Sequence, residues 1–175
     1  MGKMKSIISA PEKLNKNNIL DHFDCGNPEL NICLKRFAFQ NQRANATISF
    51  VTCFQNNVIA YYSLTVGSIE HQHATPRGKK GLARHSIPVM IIARLAVNKK
   101  YQRQGIGKGL LKDVILRTLN ASEHAGIRAI FVHAKDEKAS KFYKRFDFEP
   151  CPIDPFKLML LLKDPRNITA SSMSL

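Results

Sequence analysis

Residues 94–111 read R-L-A-V-N-K-K-Y-Q-R-Q-G-I-G-K-G-L-L. Two close glycines, Gly105 and Gly107, and several cations thus lie between an apolar run and an amphipathic one. The chemistry this pattern offers is capture of an anion by the main chain. Glycine lets the backbone approach a ligand closely, and the first turn of a helix presents unpaired N–H groups at the positive end of its dipole. Two other glycine-rich designs fail at this spacing. A nucleotide P-loop needs G-x-x-x-x-G-K followed by Ser or Thr, but Lys108 is followed by Gly109. A dinucleotide fingerprint needs its first glycine directly after the strand and a third where Leu110 stands. A plain loop with a glycine at the helix entry stays open as an alternative.

Other reactive residue types form no comparable pattern. His71, His73, His85, His133 and Glu70 are general-base candidates by type only. The pair His71 and His73 lacks further ligands at metal-binding spacing, so no metal is expected. Cys25, Cys33, Cys53 and Cys151 contain no C-x-x-C pair and stand mostly among apolar neighbours, which reads as reduced thiols in a cytoplasmic protein.

The elements that must position the glycines follow from periodicity. The first structured element expected after an irregular opening is a helix from Asn27, with Asn27 as N-cap, Pro28 at the first helical position and Glu29 complementing the dipole. Leu30, Cys33, Leu34, Phe37 and Ala38 then form its apolar stripe. Residues 47–53 and 58–66 are rich in β-branched and aromatic types and flank Gln55, Asn56 and Asn57, which predicts a hairpin. Residues 71–85 show no periodicity and read as a mobile basic loop. Residues 89–97 form an apolar run broken only by Arg94, which suits a central strand covered on both faces; a charge there must be paired or face a ligand. A helix over 107–122, a strand over 129–134, a helix over 137–146 and a closing strand over 158–162 complete the order. The fold class is α/β (α+β), in one domain over residues 1–175 with a tail frayed from about residue 164.

Composition sets the partners. The 175 residues carry 27 Lys and Arg against 13 Asp and Glu, a formal charge of +14, with 44% apolar residues. That apolar share suits a globular chain rather than a disordered basic tail. No signal-peptide core follows the basic first residues, and no apolar run approaches the roughly 20 residues that span a bilayer, so no membrane is expected. Residues 77–145 hold 17 basic and 4 acidic side chains, a net of +13, while all other residues together net +1. Charge so concentrated points to a polyanion or a phosphorylated ligand.

Gln102-x-x-Gly105-x-Gly107, set between such a strand and helix, resembles the coenzyme A pyrophosphate loop of the GNAT N-acetyltransferase superfamily. The resemblance implies a mixed, mostly antiparallel sheet splayed at two parallel strands, here residues 89–97 and 129–134, with helices on both faces. Acetyl-CoA would be wedged at the splay, with no metal. Leu95, Ala96 and Val97 would hold the pantetheine arm by backbone groups, and a bulge in their strand would aim an N–H at the thioester oxygen. Gln102, Arg103, Gln104, Gly105, Ile106, Gly107 and Lys108 would supply the pyrophosphate loop. In the pattern Ala139-x-x-Phe142-Tyr143-x-x-x-x-Phe148, Tyr143 occupies the superfamily's general-acid position, and Ala139 and Phe142 would line the cofactor. Asp147 departs from the glycine usual there.

The likeness extends further. Residues 23–31 (F-D-C-G-N-P-E-L-N), Tyr61-Tyr62-Ser63-Leu64 with Gly67-Ser68, Ile87-Pro88-Val89, Arg94-Leu95-Ala96-Val97 and His133-Ala134-Lys135-Asp136 resemble the toxin subgroup that includes TacT and AtaT. That resemblance implies acetylation of the α-amine of aminoacyl-tRNA, a block on translation, a homodimer, and neutralisation by a ribbon-helix-helix antitoxin through which alone operator DNA is contacted. Candidate tRNA contacts are Lys35, Arg36, Arg77, Lys79, Lys80, Arg84, Lys141, Lys144 and Arg145. The competing expectations are acetylation of a protein or small-molecule amine, and a non-catalytic basic module that binds nucleic acid or antitoxin on the same fold.

Overall fold

The computed structural model describes residues 7–162; the tail expected to fray lies outside them. The elements run β1 (Glu12–Lys13), α1 (Pro28–Ile32), a π-helical turn (Cys33–Phe37), α2 (Ala38–Arg43), β2 (Ile48–Phe54), β3 (Asn57–Ile69), α3 (Pro76–Lys79), β4 (Ile87–Val97), α4 (Ile106–Ser122), β5 (Ala129–His133), α5 (Glu137–Lys144), β6 (Glu149–Pro150) and β7 (Lys157–Leu161). Short 3-10 turns occupy His71–His73 and Lys99–Tyr101. The strands form one sheet in the order β1-β2-β3-β4-β5-β7-β6. Of the pairings β1–β2, β2–β3, β4–β5, β5–β7 and β6–β7, only β4–β5 is parallel. This is the mixed, mostly antiparallel sheet that the resemblance implied. The parallel register runs from Val89↔Ala129 to Ile92↔Val132, whereas β4 continues to Val97.

The chain forms two compact units, Met1–Thr65 with Ala93–Asp113 and Val66–Ile92 with Val114–Leu175. The core of the first gathers Leu14, Phe23, Leu34, Ala38, Val51, Val58, Tyr61 and Ala96. That of the second gathers Ala74, Ile87, Val89, Ala129, Cys151, Met159 and Leu161. Each core joins residues far apart in sequence.

Local chemistry explains most boundaries. The Asn27 side chain accepts the Leu30 N–H at 3.2 Å, and Pro28 opens α1 as expected. Gln55 and Asn56 both adopt positive φ (50° and 64°), the two-residue turn whose twist matches a hairpin. Buried Ser49 and Ser63 then bond across it, Oγ to Oγ at 2.7 Å.

Three expectations change. The first helix is interrupted: the Ala38 N–H bonds Cys33 O, a five-residue step that widens the turn. The apolar stripe rotates in consequence, leaving Phe37 48% exposed while Phe39 packs on the core. The chain before that helix is also structured, since β1 pairs with β2 and Leu14 and Phe23 are buried. Finally, residues 74–80 are packed rather than open loop. Thr75 caps α3 by accepting the Gly78 N–H at 3.0 Å, and Ala74, Thr75 and Gly78 are buried. Arg128 donates to Gly78 O at 3.1 Å and Lys80 O at 2.9 Å, satisfying carbonyls that the end of α3 leaves unpaired. A Cβ on Gly78 would stand 2.9 Å from Thr75 Oγ1.

Candidate active site

In the first unit, β4 delivers the chain into the glycine loop. Asn98, 8% exposed, accepts the Lys100 N–H at 3.0 Å and donates to His22 O at 3.3 Å, which turns the chain sharply after the strand. Gln102 Nε2 carries two hydrogens and uses both, on Val97 O at 2.9 Å and on Cys25 O at 3.2 Å. The Gln102 side chain therefore braces the loop, and its amide N–H groups are committed to the protein. Asp24 is the hub of the segment it braces against. Its carboxylate accepts Lys99 Nζ at 2.8 Å, the Gly26 N–H at 2.9 Å and the Asn31 amide at 3.0 Å, and its carbonyl accepts the Lys99 N–H at 2.8 Å. The Lys99 hydrogen bond first, then the Gly26 N–H and the Asn31 amide, hold the Asp24 carboxyl well below the usual carboxylate range. The same hydrogen bond raises the Lys99 ammonium.

Beyond this brace Arg103 and Gly105 take positive φ, 63° and 81°. For Gly105 that conformation is free, but at Arg103 it costs on the order of 1 kcal/mol. The strain sits where the loop turns into α4. The first helical bond runs from the Gly109 N–H to Gly105 O at 3.1 Å. The N–H groups of Gly105, Ile106, Gly107 and Lys108 consequently have no partner among the described residues. A Cβ at Gly105 or Gly109 would meet nothing within 4 Å, so this side of the turn is open. Lys100, Arg103 and Lys108 stand on the same segment and make no ion pair among the described residues. Unpaired donors, a helix start, open space and cations fit a pyrophosphate. On β4 itself Ala96 is buried, Leu95 and Val97 are half-buried, and Ala93 and half-buried Arg94 leave an inner strand accessible.

In the second unit, α5 is capped by Asp136, whose Oδ1 accepts the Ala139 N–H at 2.8 Å. Helical spacing gathers an aromatic cluster, with Phe142 5.1 Å from Tyr143 and 5.2 Å from Phe146, and Tyr143 5.3 Å from Phe148, between ring centroids. Tyr143 is only 5% exposed, and burial pushes its phenol well above its ordinary value. Its hydroxyl has no hydrogen-bond partner among the described residues, and none of their fully sealed polar side-chain atoms lacks one, so this hydroxyl is not sealed. The helix closes through the Phe148 N–H on Tyr143 O at 3.3 Å, with Asp147 at φ 67° in the position glycine prefers. The turn survives the departure from glycine. A neutral phenol with a free, accessible O–H is equipped to donate a proton.

The remaining candidates scatter. Lys35 and Arg36 lie exposed on the π-helical turn, Lys80 and Arg84 are exposed and Lys79 half-buried, and Lys141, Lys144 and Arg145 are exposed on or just after α5. Arg145 rests 5.8 Å over the Phe142 ring. Arg77 is ion-paired with Glu149. Ala139 and Phe142 are half-buried on α5. His73 lies 3.8 Å from Glu70 and His133 3.7 Å from Asp154. No metal-holding cluster of His, Cys, Asp or Glu occurs among the described residues, nor does any helix there have the length and apolarity to cross a membrane. Asp24, Asn31, Asn98 and Arg128 were missed by the sequence reading, because their hydrogen bonds reach far along the chain and leave no local spacing.

Residues 46–150 match the family model described as Acetyltransferase (GNAT) domain. The chain is 39% identical over 158 residues, 90% of its length and 95% of the relative's, to the tRNA-acetylating toxin of Mycobacterium tuberculosis (strain ATCC 25618 / H37Rv). Its fold is similar to that of AtaT complexed with acetyl-methionyl-tRNAfMet, at a TM-score of 0.86 and 26% identity, covering 93% of this chain and 99% of that one. It is also similar to a tyrosine-to-phenylalanine AtaT mutant bound to the C-terminus of the antitoxin AtaR and acetyl-CoA, at a TM-score of 0.80 and 26% identity over 94% and 99% of the two chains. A family model that covers residues 46–150 and a relative 39% identical over 90% of the chain show that this chain belongs to the GNAT acetyltransferase family.

Proposed function

We propose that the protein transfers acetyl from acetyl-CoA to the α-amino group of aminoacyl-tRNA and so inhibits translation. Acetyl-CoA, when bound, supplies the activated acyl group. The N–H groups of Gly105, Ile106, Gly107 and Lys108 hold its pyrophosphate, with Arg103 adding charge, and backbone groups of Leu95, Ala96 and Val97 align its arm. The amine nitrogen attacks the thioester carbon, the carbon–sulfur bond breaks, and the Tyr143 O–H protonates the departing sulfur. An α-amine titrates near 8 against about 10.4 for a lysine side chain, so part of the substrate is already the neutral amine near neutrality without a dedicated base, and the nitrogen releases its second proton to water as the amide forms. Water then reprotonates the phenolate. The single observation that carries this reading is the Tyr143 hydroxyl, which is buried with its ring yet uncommitted.

The tRNA backbone meets the basic side chains of residues 77–145, whose charge exceeds what one pyrophosphate neutralises. A ribbon-helix-helix antitoxin silences the enzyme, operator DNA is reached only through it, and the working form is a cytoplasmic homodimer. The test is to incubate labelled acetyl-CoA with charged tRNA, uncharged tRNA, free amino acids and peptides in parallel. Label on charged tRNA alone is the expected result. Label on peptides or free amino acids would replace the substrate assignment, and no label with intact coenzyme A binding would leave a non-catalytic module.

A further inference from the structure

Cations unconnected with the glycine loop line a cavity of about 490 Å³ along the π-helical turn and α2, whose walls are Arg36, Phe39, Gln40, Arg43 and Ala44. Gln40 follows Arg36 by four residues, and Arg43 and Ala44 follow Gln40 by three and four, the spacing of neighbours on one helix face, and all four are exposed. The neighbouring amide does different work. Gln42 donates to Leu14 O at 2.8 Å and accepts the Ser49 N–H at 3.1 Å, which fixes α2 to the unit beneath it. Arg36, Gln40 and Arg43, by contrast, have no partner among the described side chains. Nor could an acidic neighbour in sequence serve them, since residues 30–69 contain Lys35, Arg36 and Arg43 but no Asp or Glu at all. Phe39 is half-buried, packs against the core and also lines the cavity.

We propose that this cavity is an RNA-binding groove that takes an unpaired nucleotide with the phosphates flanking it. The proposal rests on the reading that tRNA is the acceptor, and it adds Arg43, Gln40 and Phe39 to the residues that meet it. Arg36 and Arg43 stand roughly 10 Å apart along a helix axis, so a single small anion engages one of them while a phosphodiester strand engages both. Guanidinium forks match phosphate oxygens two at a time. The Phe39 face offers a stacking platform, and the Gln40 amide between the arginines can donate to and accept from a base edge. An acidic peptide would satisfy the arginines but leave the aromatic floor and the amide without a counterpart, which is why RNA is favoured.

The test measures binding of uncharged tRNA and of a six-nucleotide single-stranded RNA across a salt series, with acetyl-CoA affinity and melting temperature as controls. The double variant Arg36→Ala, Arg43→Ala is expected to weaken RNA binding at least about ten-fold at low salt and to reduce the slope of log K against log salt by about 1.4, or 0.7 per lost phosphate contact on a single strand. Phe39→Leu keeps the packing and removes the stacking face; it is expected to weaken the short RNA at least about five-fold with the slope unchanged. Acetyl-CoA affinity and melting temperature stay at wild-type values for the arginine variant, because both side chains are exposed. An unchanged salt slope in the double variant overturns the groove while leaving the acetyltransferase reading intact. If the wild-type protein binds no RNA, both fall. Loss of polyglutamate binding with RNA binding unchanged makes the groove a peptide site and also overturns the proposal.

Discussion

Replacing Tyr143 by phenylalanine removes one oxygen, and the structure states what that oxygen does for the fold. The hydroxyl makes no hydrogen bond within the described residues, and the ring keeps its contacts with Phe142 and Phe148 in the variant. No internal bond is lost and no buried partner is orphaned, so stability should move by less than about 0.5 kcal/mol. For a chain of this size that is within roughly 2 °C of melting temperature. Turnover behaves differently. Loss of a positioned general acid lowers kcat by about 10²- to 10⁴-fold, equivalent to roughly 3–5.5 kcal/mol of transition-state stabilisation. Binding of acetyl-CoA, which the proposed mechanism assigns to the main-chain N–H groups of residues 105–108, should be unaffected. The assays are scanning calorimetry, titration calorimetry with acetyl-CoA, and single-turnover acetylation of charged tRNA. A variant that retains turnover within about three-fold refutes proton donation by Tyr143; a melting temperature lowered by more than about 5 °C refutes the claim that its hydroxyl is structurally idle.

Gln102→Ala removes two hydrogen bonds to main-chain carbonyls at about 1 kcal/mol each; melting should fall by roughly 4–8 °C and the Michaelis constant for acetyl-CoA should rise with little change in kcat, whereas an unchanged Michaelis constant would deny the brace any part in shaping the loop. Asp147→Gly relieves a side chain at φ 67° and should raise stability by about 0.5–1 kcal/mol, read as an upward shift of the urea midpoint; a downward shift would mean that the Asp147 side chain holds the turn by contacts of its own. The alkaline limb of stability has a definite sign. Burial raises the phenols of both Tyr61 and Tyr143 in the folded protein, so the unfolded chain ionises first. Stability is then unaffected below about pH 10 and is lost as pH rises from there toward the folded values, by roughly 3 kcal/mol for the two groups at pH 11. Urea midpoints that hold constant between pH 9 and 11 would contradict it.

What could be read along the chain was whatever depends on neighbours in sequence. Asn27 followed by Pro28, the turn residues Gln55 and Asn56, and Gly105 before a helix all announce themselves, because a cap, a tight turn and a positive φ are local demands. The Thr75-Pro76 cap carried the same kind of signal, but α3 is only four residues long and too short to show periodicity. The π-helical turn was not legible. Its five-residue bond is chosen by which aromatic ring the core accepts, and Phe37 and Phe39 are equally apolar in sequence. Strands β1 and β6 are two residues each, too short for a period to show; β1 exists only through β2, far along the chain, and β6 through the next strand, β7. The same holds at the site. Spacing placed Tyr143 on its helix, but that its hydroxyl is uncommitted depends on residues around it in space, and that Gln102 reaches Cys25 depends on a segment 77 positions away.

Sorting the basic side chains by partner sharpens the case for a polyanionic substrate. In residues 77–145, Arg77 is matched by Glu149, Lys99 by Asp24, and Arg128 by two main-chain carbonyls. These three answer to the fold. Lys100, Arg103 and Lys108 stand on the glycine loop, where one pyrophosphate would occupy them. Arg117 also has a partner; Lys79, Lys80, Arg84, Arg94, Lys112, Lys135, Lys138, Lys141 and Lys144 remain with no ion pair among the described residues, and Arg145 lies on an aromatic ring. Like charges left unpaired on a folded surface repel one another and weaken the compact state. A fold that already neutralises its structural cations keeps this surplus at a cost in stability, and that cost is offset only by a partner bringing many negative charges at once. A phosphodiester backbone does so, and its counterions are released as each phosphate is met. A small amine brings none, and the same field would repel it if cationic. The fate of the charges therefore separates the substrate classes where the GNAT fold alone leaves them equal.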